Sequence, residues 1–244
     1  MENTFEDKSE NFIGLGLLSR TAMGHRISKI TKFAALGQMD NVIQPSSQEL
    51  RQDRFAFKGN WHKTVFGNSH PLILEIGCGK GEYTLALAER FPDCNFIGLE
   101  FKGNRLWFGA QAGLTRKLHN AFFLRSSADF LTALFGKGEV AEIWIPFPDP
   151  RYERPRRSLV SEFFQARYRQ ILKSPGIVHL KTDCGSVINI ARNVALAAGG
   201  CILEDCQAVT GSNFQEALSD VISHYEQRCR EKGKTIRYLR FSPA

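Results

Sequence analysis

The sequence predicts a doubly wound α/β domain built on a seven-stranded, mostly parallel sheet. Three observations predict it. Short apolar runs alternate with helix-length amphipathic stretches from residue 72 onward, a GxGxG loop follows the first run, and an acid, Glu100, closes the second. Five consecutive strand–helix pairs imply right-handed crossovers, and so a parallel sheet covered on both faces. The bulk numbers agree: 244 residues suffice for one such domain with an appendage, and 43% apolar with 23% charged residues is the make-up of a folded globular chain.

The strands are expected at 72–76, 95–100, 121–124, 140–145 and 176–180, followed in turn by helices at 82–90, 103–118, 128–135, 158–173 and 185–198. Two further β-like runs, 201–209 and the alternating 234–241, end the sheet as a hairpin-like pair, with a helical stretch near 215–230 between them. Periodicity is poor before residue 71. Residues 1–50 are therefore expected to form a partly mobile arm and 51–244 the Rossmann-like domain, with 51–70 packed on its edge.

Composition narrows the classes of function. No run approaches the roughly 18 apolar residues that span a bilayer, and Phe12–Leu18 is broken by two glycines. Four acids precede that run (Glu2, Glu6, Asp7, Glu10), where a signal peptide carries positive charge. A cytoplasmic chain with no membrane partner is expected. The six cysteines (78, 94, 184, 201, 206, 229) form no CxxC pair, which predicts reduced, mostly buried thiols and no zinc site. The formal charge of +7 is concentrated in three segments: 11–33 has four basic residues and no acid, 151–173 has seven against two, and 228–240 has six against one. Gathered on one face, these segments make a nucleic-acid footprint; apart, they are solvated faces.

Open α/β sheets bind ligands beyond the carboxyl ends of their strands, so the first strand–helix turn is the place to look. There the chain reads LEIGCGKGEYTLALAERFPDCNFIGLE, with Gly77, Gly79 and Gly81 forming the loop. Glu100 is placed to accept hydrogen bonds from ribose hydroxyls, as both dinucleotides and S-adenosylmethionine require. The glycine spacing is not the GxxG ending of a dinucleotide site, and Glu75 and Glu82 flank the loop. Carboxylates there repel a diphosphate and suit the amino group and sulfonium of the methyl donor, so S-adenosylmethionine is favoured. Cys78 is read as structural.

Directly after the fourth strand comes IPFPDPRYERPRR, residues 145–157. Proline fixes φ and gives no ladder hydrogen bond, so Pro146, Pro148 and Pro150 should end the strand and hold Asp149 in a rigid turn at the ligand crevice. Arg151, Arg154, Arg156 and Arg157 follow, placed to meet phosphates.

At these residues the chain resembles the bacterial tRNA (guanine-N(7)-)-methyltransferases of the TrmB type. The resemblance rests on the glycine-loop segment above, on EIWIPFPDPRYERPRRSLVSEFFQARYRQILKSPGIVHLKTD and on SHYEQRCREKGKTIRYLRF, and it reaches weakly back through KFAALGQMDNVIQP and FKGNWHK. It implies the class I S-adenosylmethionine-dependent methyltransferase fold and methyl transfer to N7 of a tRNA guanine, in the variable loop. Glu75 and Glu100 match the family's donor-binding acids, and Asp149 its FPDP aspartate, taken as a donor contact and as the catalytic residue. Asp183 matches a position implicated in tRNA binding. The late Thr-x-(Tyr/Phe)-Glu motif stands here as Ser223, His224, Tyr225 and Glu226, implying substrate contacts from Ser223, Tyr225 and Glu226.

Two departures matter. Where the family has Gly-Asp-Ala after the third strand, this chain has Ser126, Ser127 and Ala128, which leaves Ser127 or a backbone amide at the adenine, with Asp129 close by. At the family's substrate-binding lysine stands Glu153, for which Arg151 or Arg154 could substitute.

Guanine N7 has a lone pair and no proton, so no general base and no metal are required, and in-line positioning with well-placed carboxylates should suffice. Asp149 takes that part, with Glu226 or Asp183 gripping the base. His224 is read as a surface or packing residue, and Tyr225 as a stacking or a core ring. The partners expected are tRNA and the donor, for a monomer or homodimer. Two rivals stay open: an RNA-binding module with a vestigial donor loop, and a methyltransferase acting on a small molecule or protein.

Overall fold

The computed structural model describes residues 28–209 and 221–244. The five expected parallel strands are β2 (Leu72–Ile76), β3 (Asn95–Leu99), β4 (Ala121–Leu124), β5 (Val140–Pro146) and β6 (Leu172–Thr182). Two more close one side, β7 (Cys201–Cys206) and β8 (Arg237–Ser242), with β8 antiparallel to both β6 and β7.

Among the described residues the sheet has eight strands rather than seven, in the order β1-β4-β3-β2-β5-β6-β8-β7. The additional strand is β1 (Val42–Ile43), parallel to β4 through the pairs Val42↔Phe123 and Ile43↔Leu124. Two residues are too few to show periodicity, so NVIQP reads as a turn. Asn41 fixes the strand from outside that signal: its carbonyl accepts Phe123 N at 2.8 Å and its buried amide donates to Ala110 O at 2.9 Å. Part of the expected arm is thus in the sheet; residues 1–27, with the basic residues and apolar run there, lie outside the described residues. So does the first part of the helical stretch expected near 215–230.

The helices are α1 (Lys29–Leu36), α2 (Ser47–Arg51), α3 (Glu82–Arg90), α4 (Gly103–Thr115), α5 (Leu131–Leu134), α6 (Glu162–Ile171), α7 (Gly185–Ala197) and α8 (His224–Glu231). All residues of β2 and β3 are buried, as a parallel sheet covered on both faces requires. Alternation then sorts the side chains. Leu72, Leu74 and Ile76 join the core beneath α6 and α7, while Ile73 packs with Tyr83 and Leu87 of α3 on the other face. Glu75, of the same parity as Ile73, is delivered beneath α3.

Within the edge segment 51–70, Trp61 is fully buried, stacks on Phe135 at 5.4 Å and donates Nε1–H to Leu134 O at 2.9 Å, while Lys63 stays exposed. All six cysteines are free thiols as expected, but only Cys78 and Cys229 are buried.

Candidate active site

The loop between β2 and α3 holds all three of its glycines at positive φ: 79° at Gly77, 58° at Gly79 and 73° at Gly81. A Cβ on Gly77 or Gly79 would meet open space, whereas one on Gly81 would lie 2.5 Å from the Phe123 ring. The first two glycines thus serve the backbone turn beside a cavity, and the third also serves close packing of α3 on β4. Gly77 N and Cys78 N both donate to Leu99 O, at 2.8 and 3.0 Å, which ties the loop to the end of β3.

Two carboxylates frame this loop. Glu100 accepts Gly79 N at 3.2 Å through one oxygen and Lys102 N at 2.8 Å through the other. Glu75 is buried and accepts both the backbone N–H of Thr84, at 2.8 Å, and its hydroxyl. Burial is the largest influence on Glu75 and pushes its pKa up to about 7, against the lowering effect of the Thr84 hydrogen bonds.

Two cavities meet at Gly77. One, of about 220 Å³, is lined by Glu100, Phe101, Ser127, Asp129 and Asp149. The other, of about 280 Å³, is lined by Glu75, Glu82, Tyr83, Phe147, Ser223 and Tyr225. Sequence-distant residues 75–83, 100–105, 146–149 and 223–228 therefore converge on a single crevice at the carboxyl end of the sheet.

The proline turn borders both cavities. Phe147 adopts φ +52° and donates its N–H to Lys181 O at 2.7 Å, so the turn is pinned to β6 immediately after the strand ends. Pro146 and Phe147 face the second cavity and Asp149 the first. The Asp149 carboxylate is largely exposed, accepts Arg151 N at 3.2 Å and pairs with Arg151 Nε at 3.1 Å.

Helix α8 supplies the far wall. Ser223 caps it, its hydroxyl accepting Glu226 N at 3.2 Å, and Tyr225 lies against Phe147 with ring centroids 5.2 Å apart. His224 N donates to Glu82 Oε1 at 3.2 Å, fastening α8 to the start of α3. Asp183 accepts Lys234 Nζ at 2.5 Å.

A family profile described as "Putative methyltransferase" matches residues 69–239. A tRNA (guanine-N(7)-)-methyltransferase of Christiangramia forsetii is 39% identical over 217 residues, covering 88% of this chain and 97% of the relative. The enzyme of that name in Bacteroides thetaiotaomicron is 36% identical, over 88% of this chain and 85% of its own. The chain belongs to the tRNA (guanine-N(7)-)-methyltransferase family. Solved structures share its fold at low identity: an "antibiotic related Methyltransferase" has a TM-score of 0.57 at 16% identity, covering 84% of this chain and 96% of its own. The 16S rRNA methyltransferase KamB has a TM-score of 0.57 at 14%, with 81% and 93% covered.

Within this methyltransferase fold several expected contacts are redistributed. Glu226 lines neither cavity: it is fully buried, receives the Tyr83 hydroxyl at 2.8 Å and pairs with Lys181 at 2.8 Å and Arg230 at 2.6 Å. A carboxylate held by two cations and a phenol has no oxygen free for a base edge, so it positions α8 instead. The Ser127 hydroxyl is also committed, capping a short 3₁₀ turn (Ala128–Phe130) and donating to Asp129 Oδ2 at 2.8 Å. Asp129 lines the cavity beside it, with Glu100 and Asp149, and is gripped by both Nη atoms of Arg157 at 2.9 and 2.8 Å. Of the four arginines in the proline segment, Arg151 and Arg157 thus pair with cavity carboxylates. Arg154 is exposed and Arg156 lies over the Phe163 ring at 4.8 Å.

Lys181 and Tyr83 are absent from the sequence reading of the site. The parity of LKTD in a strand already puts Lys181 and His179 on one face, and nothing local says that the face is dry.

Proposed function

We propose that the enzyme transfers the methyl group of S-adenosylmethionine to N7 of a guanine in tRNA, in the variable loop as its family resemblance implies. One observation carries this reading: a single proline-fixed turn borders two cavities that meet at Gly77, one lined by Glu100, Asp129 and Asp149 and the other by Glu75, Phe147 and Tyr225.

The residues fit the donor. Glu100 offers a carboxylate suited to ribose hydroxyls at the end of β3, and Asp129, steadied by Arg157 and Ser127, suits the exocyclic amine of adenine. Glu75, buried and reluctant to ionise, gains from a cationic amino group brought beside it. Gly77 and Gly79 leave room for close approach.

Bound donor supplies an electrophilic methyl group on a sulfonium. N7 attacks the methyl carbon with its own lone pair while the carbon–sulfur bond breaks and its electrons go to sulfur, which leaves as the thioether of S-adenosylhomocysteine, so no side chain has to remove a proton. Asp149 then acts electrostatically, facing the positive charge that develops on the purine. Phe147 and Tyr225 hold the base by stacking. Ser223 borders that cavity and Asp183, paired with Lys234, lies near Tyr225, while Arg154 and Arg156 take phosphates. The orientation imposed by these contacts, rather than acid–base chemistry, sets the rate.

Binding experiments separate the rivals. S-Adenosylhomocysteine should stabilise the protein thermally, which a vestigial donor loop would not show. tRNA affinity should fall steeply with added salt, and indifference to salt would favour a small-molecule or protein substrate and overturn the reading.

A further inference from the structure

Beside the glycine loop, on the outer side of α4, lies an open groove lined by Lys29 and Lys32 of α1, Lys80 of the loop, and Trp107 and Phe108 of α4. Its rings and cations interleave. Lys32 Nζ sits 4.0 Å from the Phe108 ring centroid and 5.1 Å from that of Trp107, while Lys80 Nζ sits 5.3 Å from Phe108. Phe108 is 41% exposed, unusual for a large ring on a helix that also buries Leu106 and Ala110. Neither α1, KITKFAAL, nor α4, GNRLWFGAQAGLT, contains an acid.

We propose that this groove is a second RNA-binding surface, which takes the tRNA strand flanking the target guanine: phosphates on Lys29 and Lys32, and an unstacked base on Phe108. The assignment rests on the tRNA reading above and extends it to a place that reading does not use. Continuity supports it, since Lys80 lines both the groove and the ring-lined cavity, and Arg105, one turn from Phe108, lines that cavity too. A strand whose guanine reaches the rings of Phe147 and Tyr225 therefore leaves over positive charge.

Charge and shape favour RNA over a protein partner. Ammonium groups on and beside two helices that carry no acid suit a polyanion, and ring faces alternating with them suit the alternation of phosphate and base in a single strand. Lysines stacked on exposed rings are weakly held, so both partners are free to exchange for phosphate and nucleobase.

The test uses the full chain, an unmodified tRNA transcript and S-adenosylmethionine. Lys29→Gln combined with Lys32→Gln should raise KM for tRNA about tenfold, hold kcat within about twofold, and flatten the slope of log Kd against log salt by about 1.5, the loss of two phosphate contacts. Phe108→Ala should raise KM about tenfold without changing the slope, and Phe108→Tyr should restore it. Donor-product affinity should stay as in the unmodified protein, because Lys80 and the loop are untouched. Folded variants with unchanged KM and unchanged salt slope, in a protein that does methylate tRNA, would overturn the second surface alone. A parent protein that neither binds nor methylates tRNA would overturn both.

Discussion

Lys181 Nζ lies 2.8 Å from Glu226 Oε2, with side-chain exposures of 3% and 0%. The pair joins β6 to α8 behind the ring-lined cavity, and the Tyr83 hydroxyl and Arg230 complete it. Burial is the chief influence on Lys181 and lowers its pKa, opposed by the neighbouring Glu226. Such a pair is costly to desolvate and more costly to break.

Glu226→Leu should therefore destabilise the fold by about 3–5 kcal/mol in urea denaturation, because it strands a buried ammonium. Adding Lys181→Met should return much of that loss, since Arg230 is one-third exposed and can turn to water. Activity should not recover with stability: Ser223 and Tyr225 keep their places only while α8 is held, so KM for tRNA should stay raised in the double variant.

Glu75 makes stability and donor binding depend on pH in opposite directions. Folded, it keeps its proton up to about 7, against an ordinary value of 4.5. The folded chain thus binds more protons in that window, so stability falls as pH rises through it and levels off above about 7. The loss is on the order of 3 kcal/mol. Glu75→Gln should remove this slope in urea denaturation across the window. S-Adenosylhomocysteine, whose amino group favours ionised Glu75, should bind more tightly as pH rises through about 7, and the Gln variant should lose that trend in calorimetry.

Asp149 is exposed and its pair with Arg151 lies at the surface, so Asp149→Asn should cost no more than about 1 kcal/mol of stability. Its effect on turnover should be far larger, about 10²- to 10³-fold in kcat, as for removal of one preorganised electrostatic group. Single-turnover kinetics with saturating donor and tRNA measure this directly.

Asp129→Asn should weaken donor binding about tenfold and leave the affinity for tRNA unchanged, because it removes one charge-assisted contact on the adenosine side. Ser127→Ala should change donor affinity less, since its hydroxyl acts through Asp129. Equal effects of the two variants in a titration with S-adenosylhomocysteine would contradict that order.

The parts of the fold that follow from periodicity were legible in the sequence. β2, β4 and α3 fall at 72–76, 121–124 and 82–90 as their apolar patterns require, and the Glu75–GxGxG–Glu100 frame closes around one loop. What the sequence could not show is which charges neutralise each other. Arg157 and Asp129 are far enough apart in sequence, and on different elements, that only the folded chain reveals their fork. Glu226 looks like a substrate contact in SHYE because nothing in that tetrapeptide reveals Lys181 beneath it. β1 escaped for a different reason: two residues carry no period, and its place depends on Asn41 and the edge of β4.

Incubating unmodified tRNA with the enzyme and methyl-labelled S-adenosylmethionine, then digesting the RNA and mapping the labelled nucleoside, locates the atom that receives the methyl group. The expected result is 7-methylguanosine at a variable-loop guanine, lost in the Asp149→Asn variant. Label in another nucleoside, or none in tRNA while the donor product still binds, would contradict it.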